Sequence, residues 1–214
     1  MKVEEFREIM LEYSKTKDFE NRVKQAEQII EKGLSFRGKK YVAFSGGKDS
    51  TAMLHLVLKF EPDIMVYHSD NGKYIPREFE QEVIENARLI GANNLRIEVA
   101  GDFFERKVWE YYREGFRVCF VGLRKEEAVH RRLRIQADES LTVIKEFWPL
   151  QDWSWRDVWA YVFANALPIH SAYLKYAPVV GWDKVRFHTF FDPKFERFGS
   201  PNLDGVLLWK HKSG

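Results

Sequence analysis

Apolar positions near the start of the chain recur at the helical period. Val3, Phe6, Met10 and Tyr13 form one stripe; Phe19, Val23, Ala26 and Ile30 form a second after a break at 14–17. Side chains three and four apart share a helix face, so each stripe predicts an amphipathic helix. Gly33 is the expected stop of the second. From Tyr41 the pattern changes. Short runs rich in β-branched and aromatic residues read as strands at Tyr41–Phe44, Asp63–His68, Asn94–Val99, Arg117–Val121 and Leu141–Phe147. Helical patterns separate the first four. Ala52–Phe60 is apolar nearly all round, as a helix buried beside a sheet should be. Phe79, Val83, Ala87 and Ile90 make a clear stripe, as do Phe104, Val108, Tyr111 and Tyr112. This alternation predicts an α/β fold: a doubly wound, mainly parallel five-stranded sheet with helices on both faces. Ser154, with Asp157 three residues on, is a capping signal for a further helix over Asp152–Asn165. From Ser171 the chain turns aromatic and basic, punctuated by Pro and Gly, and reads as an irregular C-terminal extension. The expected organisation is an N-terminal helical extension at 1–36, an α/β domain at 37–169 and an extension at 170–214 that packs on it.

Composition narrows the class. Hydrophobic residues at 45% supply a core, and 31% charged with 15% aromatic residues exclude a disordered bulk. The 34 basic and 32 acidic residues leave a net charge of only +2, so the chain is no polycation built to coat nucleic acid. Cys119 is the single cysteine, which excludes an internal disulfide and a Cys-held zinc or iron–sulfur site within one chain. His55, His68 and His188 lack metal-ligand spacing. No apolar run approaches a membrane span, and the charged start MKVEEFREIM is unlike a signal peptide. A cytoplasmic protein with no membrane partner is the expectation.

The first chemical motif is Ser45-Gly46-Gly47-Lys48-Asp49-Ser50, directly after a strand and opening a helix. Adjacent glycines let the backbone bend tightly and expose its N–H groups. The helix that follows adds unpaired donors and the positive end of its dipole. Ser45 and Ser50 contribute hydroxyls and Lys48 a cation, so a di- or triphosphate is the expected guest. The spacing is neither that of a Walker A loop nor of a dinucleotide fingerprint. Asp49 is unusual in an anion loop, and a bridging Mg²⁺ would reconcile it with phosphates. The motif resembles the Ser-Gly-Gly-x-Asp-Ser pyrophosphate loop of the adenine nucleotide alpha-hydrolase superfamily, the PP-loop ATP pyrophosphatases. The resemblance implies ATP, or a related adenylyl nucleotide, as ligand.

Two further elements resemble one family within it, the phosphoadenosine phosphosulfate (PAPS) reductase family. Asp70-Asn71-Gly72, ending at Pro76, is similar to the family's D-T-G-x-x-x-P turn, with Asn71 for Thr. Gly122-Leu123-Arg124, with Glu127 and Arg131, is similar to its G-x-R-x-x-E-S-x-x-R element, with Ala128 for Ser. Arg124 and Arg131 would be planar bidentate donors to phosphate or sulfate oxygens; a solvated helix face paired Glu127–Arg131 is the plain alternative. The run Trp148–Trp159 resembles the family's P-L-x-D-W-x-x-x-D-V-W segment, where core packing explains the tryptophans better than base stacking. The resemblance implies the strand order 3-2-1-4-5, with the motifs after strands one and four facing each other across the ligand crevice.

One departure matters. The family's thiol-dependent reductases carry a C-terminal cysteine; this tail has none, and Cys119 lies mid-strand. What remains is nucleotide chemistry, as in adenylyltransferases, FAD synthetase and ATP-dependent sulfur-inserting enzymes. The expected reaction is attack on the α-phosphorus of ATP, with pyrophosphate leaving into Ser45, Gly46, Gly47 and Ser50. Lys48, Asp49 and Arg124 are the expected catalytic group, with Mg²⁺ on Asp49. Asp70, Gly72, Gly122, Glu127 and Arg131 complete the nucleotide site. An unknown small-molecule acceptor is the second partner, and a homo-oligomer stays open. Two alternatives remain: a sulfonucleotide enzyme taking PAPS or adenosine phosphosulfate (APS), and an ATP-dependent tRNA-modification or sulfur-transfer subunit using the aromatic–basic tail as an RNA footprint.

Overall fold

A computed structural model describes residues 1–70, 76–99 and 106–186. Two helices come first, α1 (Val3–Tyr13) and α2 (Lys17–Ser35), where the stripes placed them. Thr16 separates them by capping α2, its hydroxyl accepting from the Phe19 amide. Gly33 does not end α2, which runs on to Ser35. It is glycine because the helix presses on the sheet: a Cβ there would stand 2.6 Å from the Phe120 ring.

The strands are β1 (Lys39–Phe44), β2 (Met65–Asp70), β3 (Leu95–Val99), β4 (Phe116–Val121) and β5 (Lys145–Phe147). They form one sheet in the order β3-β2-β1-β4-β5, every pair parallel. The expected topology therefore holds. The fifth strand is shorter than predicted because Ser140 and Thr142 hydroxyls accept from the amides of Glu146 and Ile144, while Glu146 accepts from the Leu141 amide. Those local bonds bend the backbone out of the ladder.

Between the strands lie α3 (Lys48–Leu58), α4 (Arg77–Ile90), α5 (Val108–Arg113) and α6 (Val129–Gln136). The sheet divides its side chains by the two-residue period of a strand. Val42, Phe44, Val66, Val118 and Phe120 enter a large core with α1–α4. Tyr41, Met65, Tyr67 and Cys119 enter a smaller one with Val108 and Tyr111 of α5. Phe104, counted in the predicted α5 stripe, lies outside the described residues.

Two further helices follow among the described residues, α7 (Trp155–Ala164) and α8 (Ser171–Val180). Ser154 caps α7 in a reciprocal capping box with Asp157, as the spacing predicted. The extension read as irregular instead begins with a helix. Glu82 of α4 accepts from the Ser171 amide at 2.6 Å and its hydroxyl at 2.8 Å, and His170 Nδ1 accepts from the Ala172 amide at 3.1 Å. Those acceptors satisfy the orphan donors of a first helical turn. Residues 1–36 are built into the main core: Phe6 stacks on Trp182 at 4.0 Å and meets Trp159 edge-on. The Trp153 indole donates to the Arg22 carbonyl. No helix among the described residues is long and apolar enough to cross a membrane.

Candidate functional site: an anion bend facing a buried arginine

β1 ends at Phe44 and α3 begins at Lys48, so Ser45, Gly46 and Gly47 make the whole connection. Gly46 sits at φ +78°, the left-handed region that side chains disfavour. A Cβ there would also meet a Val83 methyl of α4 at 2.5 Å. The Ser45 amide donates to Ser50 Oγ at 3.3 Å, and Ser50 Oγ donates to the Gly47 carbonyl at 2.9 Å, which closes the bend on itself. The Lys48 amide donates to the Tyr173 hydroxyl at 3.2 Å. The amides of Gly46, Gly47, Asp49 and Ser50 have no acceptor among the described residues. Four free donors at the N-terminus of an 11-residue helix are what an oxyanion needs.

β4 delivers the opposing wall. Gly122 approaches α3 so closely that a Cβ would lie 3.1 Å from the Asp49 carbonyl carbon. Two residues on, Arg124 turns back to Asp49. The Asp49 carboxylate accepts from Arg124 Nε and, at 2.9 Å, from Lys48 Nζ. Lys48 and Arg124 are only 1% and 2% exposed, so this is a buried triad. The triad itself carries one net positive charge, which Glu126, 3.7 Å from Arg124 Nη1, partly offsets. Burial alone would push the Asp49 carboxyl up, but the adjacent Lys48 and Arg124 charges win and hold it well below the usual carboxylate range. Burial likewise works against the charge on Arg124, and Asp49 followed by Glu127 raises it above its ordinary value. Arg124 Nη1 is buried with no hydrogen-bond acceptor among the described residues; Glu126 stands 3.7 Å away.

The other expected site residues take other places. Asp70 ends β2 and accepts from Arg77 at 2.6 Å. Glu127 is 6% exposed and internal: it pairs with Arg131, accepts from the Arg124 amide at 3.3 Å and lies 3.7 Å from Arg186. Glu127 and Arg131 thus make the pair of the plain alternative, and a buried carboxylate is a poor host for phosphate. Gly72 and the aromatic–basic run after Arg186 lie outside the described residues. Asp49 does not fit the expected role of metal ligand, since Lys48 and Arg124 engage both its oxygens. No group of three or more potential metal ligands occurs among the described residues. Cys119 is buried in β4, and burial pushes its thiol far up, so it is no nucleophile. Val83 and the His68–Glu80 pair beneath the bend carried no recognisable motif. A polar cleft of about 730 Å³, lined by Arg22, Lys125, Glu126 and Asp152 among others, opens off the far side of the Arg124 segment.

A parallel sheet in this order, with a glycine bend after β1 and a buried arginine after β4, is a doubly wound α/β fold with a candidate site at the carboxyl ends of its central strands. The model of the phosphoadenosine phosphosulfate reductase domain matches residues 104–185, which include Arg124 and the Trp148–Trp159 run but not the bend. An uncharacterized protein of Methanocaldococcus jannaschii is 31% identical over 176 residues, 67% of this chain and 34% of that protein. The chain therefore matches about a third of that relative's length. The phosphoadenosine 5'-phosphosulfate reductase of Alkalilimnicola ehrlichii is 27% identical over 68% of this chain and 69% of its own. The adenosine 5'-phosphosulfate reductase of Geobacillus thermodenitrificans is 24% identical over 65% and 69%. The PAPS reductase of Candida auris has a similar fold, with a TM-score of 0.50 at 15% identity over 79% of this chain and 90% of that one. The chain is thus similar to PAPS reductases over residues 104–185 and in its fold.

Proposed function

We propose that the chain binds an adenine nucleotide at the Gly46–Gly47 bend and catalyses displacement at its α-phosphorus, with ATP as the nucleotide. The observation that supports this is the set of four unpaired amides at the bend, next to an Asp49 that holds a buried arginine whose Nη1 has no hydrogen-bond acceptor among the described residues. An acceptor attacks the α-phosphorus, the bond to the bridging oxygen of the β-phosphate breaks, and pyrophosphate leaves toward the bend. The amides of Gly46, Gly47, Asp49 and Ser50 and Arg124 Nη1 take up the charge that grows on the leaving group. Lys48 keeps Asp49 in place and the triad net positive. An anionic acceptor brings its own lone pair, so positioning and electrostatics suffice without a general base. Mg²⁺ would arrive with the phosphates of ATP, because Asp49 is already committed to cations.

A second reading takes a sulfonucleotide, APS or PAPS, on the same donors. The names of the reductase relatives favour it. Release of sulfite by the chain's own thiol has no support, because Cys119 is buried and protonated in β4. Pyrophosphate release from ATP and Mg²⁺, measured beside calorimetric titrations with APS and PAPS, separates the readings. Pyrophosphate release supports the first. Sulfonucleotide binding without pyrophosphate release moves the assignment to the second. Neither result overturns both. A tRNA mobility shift at low salt is the corresponding test of an RNA-modifying role, and its absence removes that role.

A further inference from the structure

Beneath the bend lies a buried pair that the proposed reaction does not use. His68 of β2 is 2% exposed and Glu80 of α4 is 1% exposed. His68 Nδ1 lies 2.9 Å from the carbonyl oxygen of Phe44, the last residue before Ser45. His68 Nε2 is hydrogen-bonded to Glu80 Oε1. The chemistry of the two contacts fixes the protons. A carbonyl oxygen can only accept, so Nδ1 must carry a hydrogen. If the ring is otherwise neutral, Nε2 presents a lone pair, and an ionised Glu80 also presents only lone pairs. The observed contact therefore requires one shared proton, formally on the imidazole or on the carboxyl. The pair then bridges α4 to the end of β1. One turn along α4, Val83 sits against Gly46. Thus α4 meets the bend at two points, by contact at Val83 and through His68 at Phe44. The other charges near Glu80 are Arg77, which pairs with Asp70, and His170, which pairs with Glu82.

We propose that His68 and Glu80 are positioning residues, a proton-bearing strut that sets the Phe44 carbonyl and hence the direction of the Gly46 and Gly47 amides. This rests on the reading of the bend as an anion site. The strut explains why a histidine is buried in a strand where an apolar residue would pack, and why the carboxylate facing it is buried as well. Neither group touches the ligand. Substituting Glu80 by Gln supplies an amide donor to the Nε2 lone pair and so keeps the bridge without the shared proton. Substituting His68 by Leu keeps the volume and removes the bridge.

The test uses the full chain, with inorganic pyrophosphate as the probe. In ligand-free protein, the ¹⁵N resonances of His68 should show a protonated Nδ1 and a strongly hydrogen-bonded Nε2; an unprotonated Nδ1 overturns the strut. His68→Leu should move the Gly46 and Gly47 amide resonances and weaken pyrophosphate binding about tenfold, the scale of one lost buried hydrogen bond. E80Q should stay within about threefold of the parent, a difference well inside one such bond. Unmoved amide resonances in H68L, or equal losses in H68L and E80Q, overturn the proposal. If H68L does not fold, Glu80→Ala takes its place with the same expectations. Failure of the parent protein to bind pyrophosphate would instead sink the anion-site reading, while the His68 resonances would still report the proton.

Discussion

Replacing Asp49 by Asn removes the one carboxylate among the described residues that is bonded to both Lys48 and Arg124, two cations that are 1% and 2% exposed. Breaking a buried pair from one side typically costs about 3–5 kcal/mol, because the remaining charge stays desolvated. Asn retains one acceptor oxygen and nearly the same volume, so the loss should fall near the lower end, about 3 kcal/mol. In a chain of 214 residues that corresponds to a fall in Tm of about 6–12 °C. The variant also raises the net charge of the triad from +1 to +2, which favours an incoming anion. Pyrophosphate at about 100 times its Kd stabilises a folded protein by about 2.7 kcal/mol, nearly the whole deficit. Thermal melts of the parent and D49N, each with and without pyrophosphate, are the assay. D49N should melt far below the parent without the anion and close to the unliganded parent with it. A variant as stable as the parent without anion refutes the triad as a charge-balanced unit. A variant that is destabilised but not rescued refutes the triad as part of an anion site.

Gly46→Ala combines a left-handed backbone angle with a clash against Val83, worth about 2–5 kcal/mol together, and urea unfolding should show it. Ser154→Ala removes one half of the α7 capping box and should cost about 1 kcal/mol, read as a lower denaturation midpoint with an unchanged slope. Cys119 should resist thiol-directed alkylation in the native protein and react only as fast as the chain unfolds; rapid native labelling contradicts its burial. The depressed Asp49 carboxyl gives a sign for acid stability. Its contribution is complete above the unfolded carboxyl's pKa of about 3.9 and is lost as pH falls from there toward the lower folded value, so D49N should lack that part of the acid loss.

Most of the architecture could be read from periodicity. The two N-terminal stripes, the alternation that makes a parallel sheet and the Ser154–Asp157 cap are local signals, and each element formed where its signal lay. Apart from β5, which local hydroxyl bonds shorten, the departures come from distant contacts. Gly33 reads as a stop but serves the approach of α2 to Phe120. α8 has Pro178 in its last turn and no internal start signal, and it forms because Glu82 of α4 takes its first donors. At the site, the glycine bend was legible because glycines, a strand end and a helix start coincide in six residues. The partnership of Asp49 with Arg124 was not, since 75 positions separate them and only the β1–β4 pairing brings them together. Arg131 and Glu127 carried the right letters for a ligand site, yet at four residues apart on the edge of α6 they satisfy each other.

The most direct measurement is a crystal structure of the full chain grown with ATP and Mg²⁺, and a second grown with APS. The account predicts phosphate or sulfate oxygens about 2.9 Å from the amides of Gly46 and Gly47 and from Arg124 Nη1 in at least one of them. A nucleotide found only in the cleft beside Arg22 and Asp152, with those amides unengaged, would contradict it.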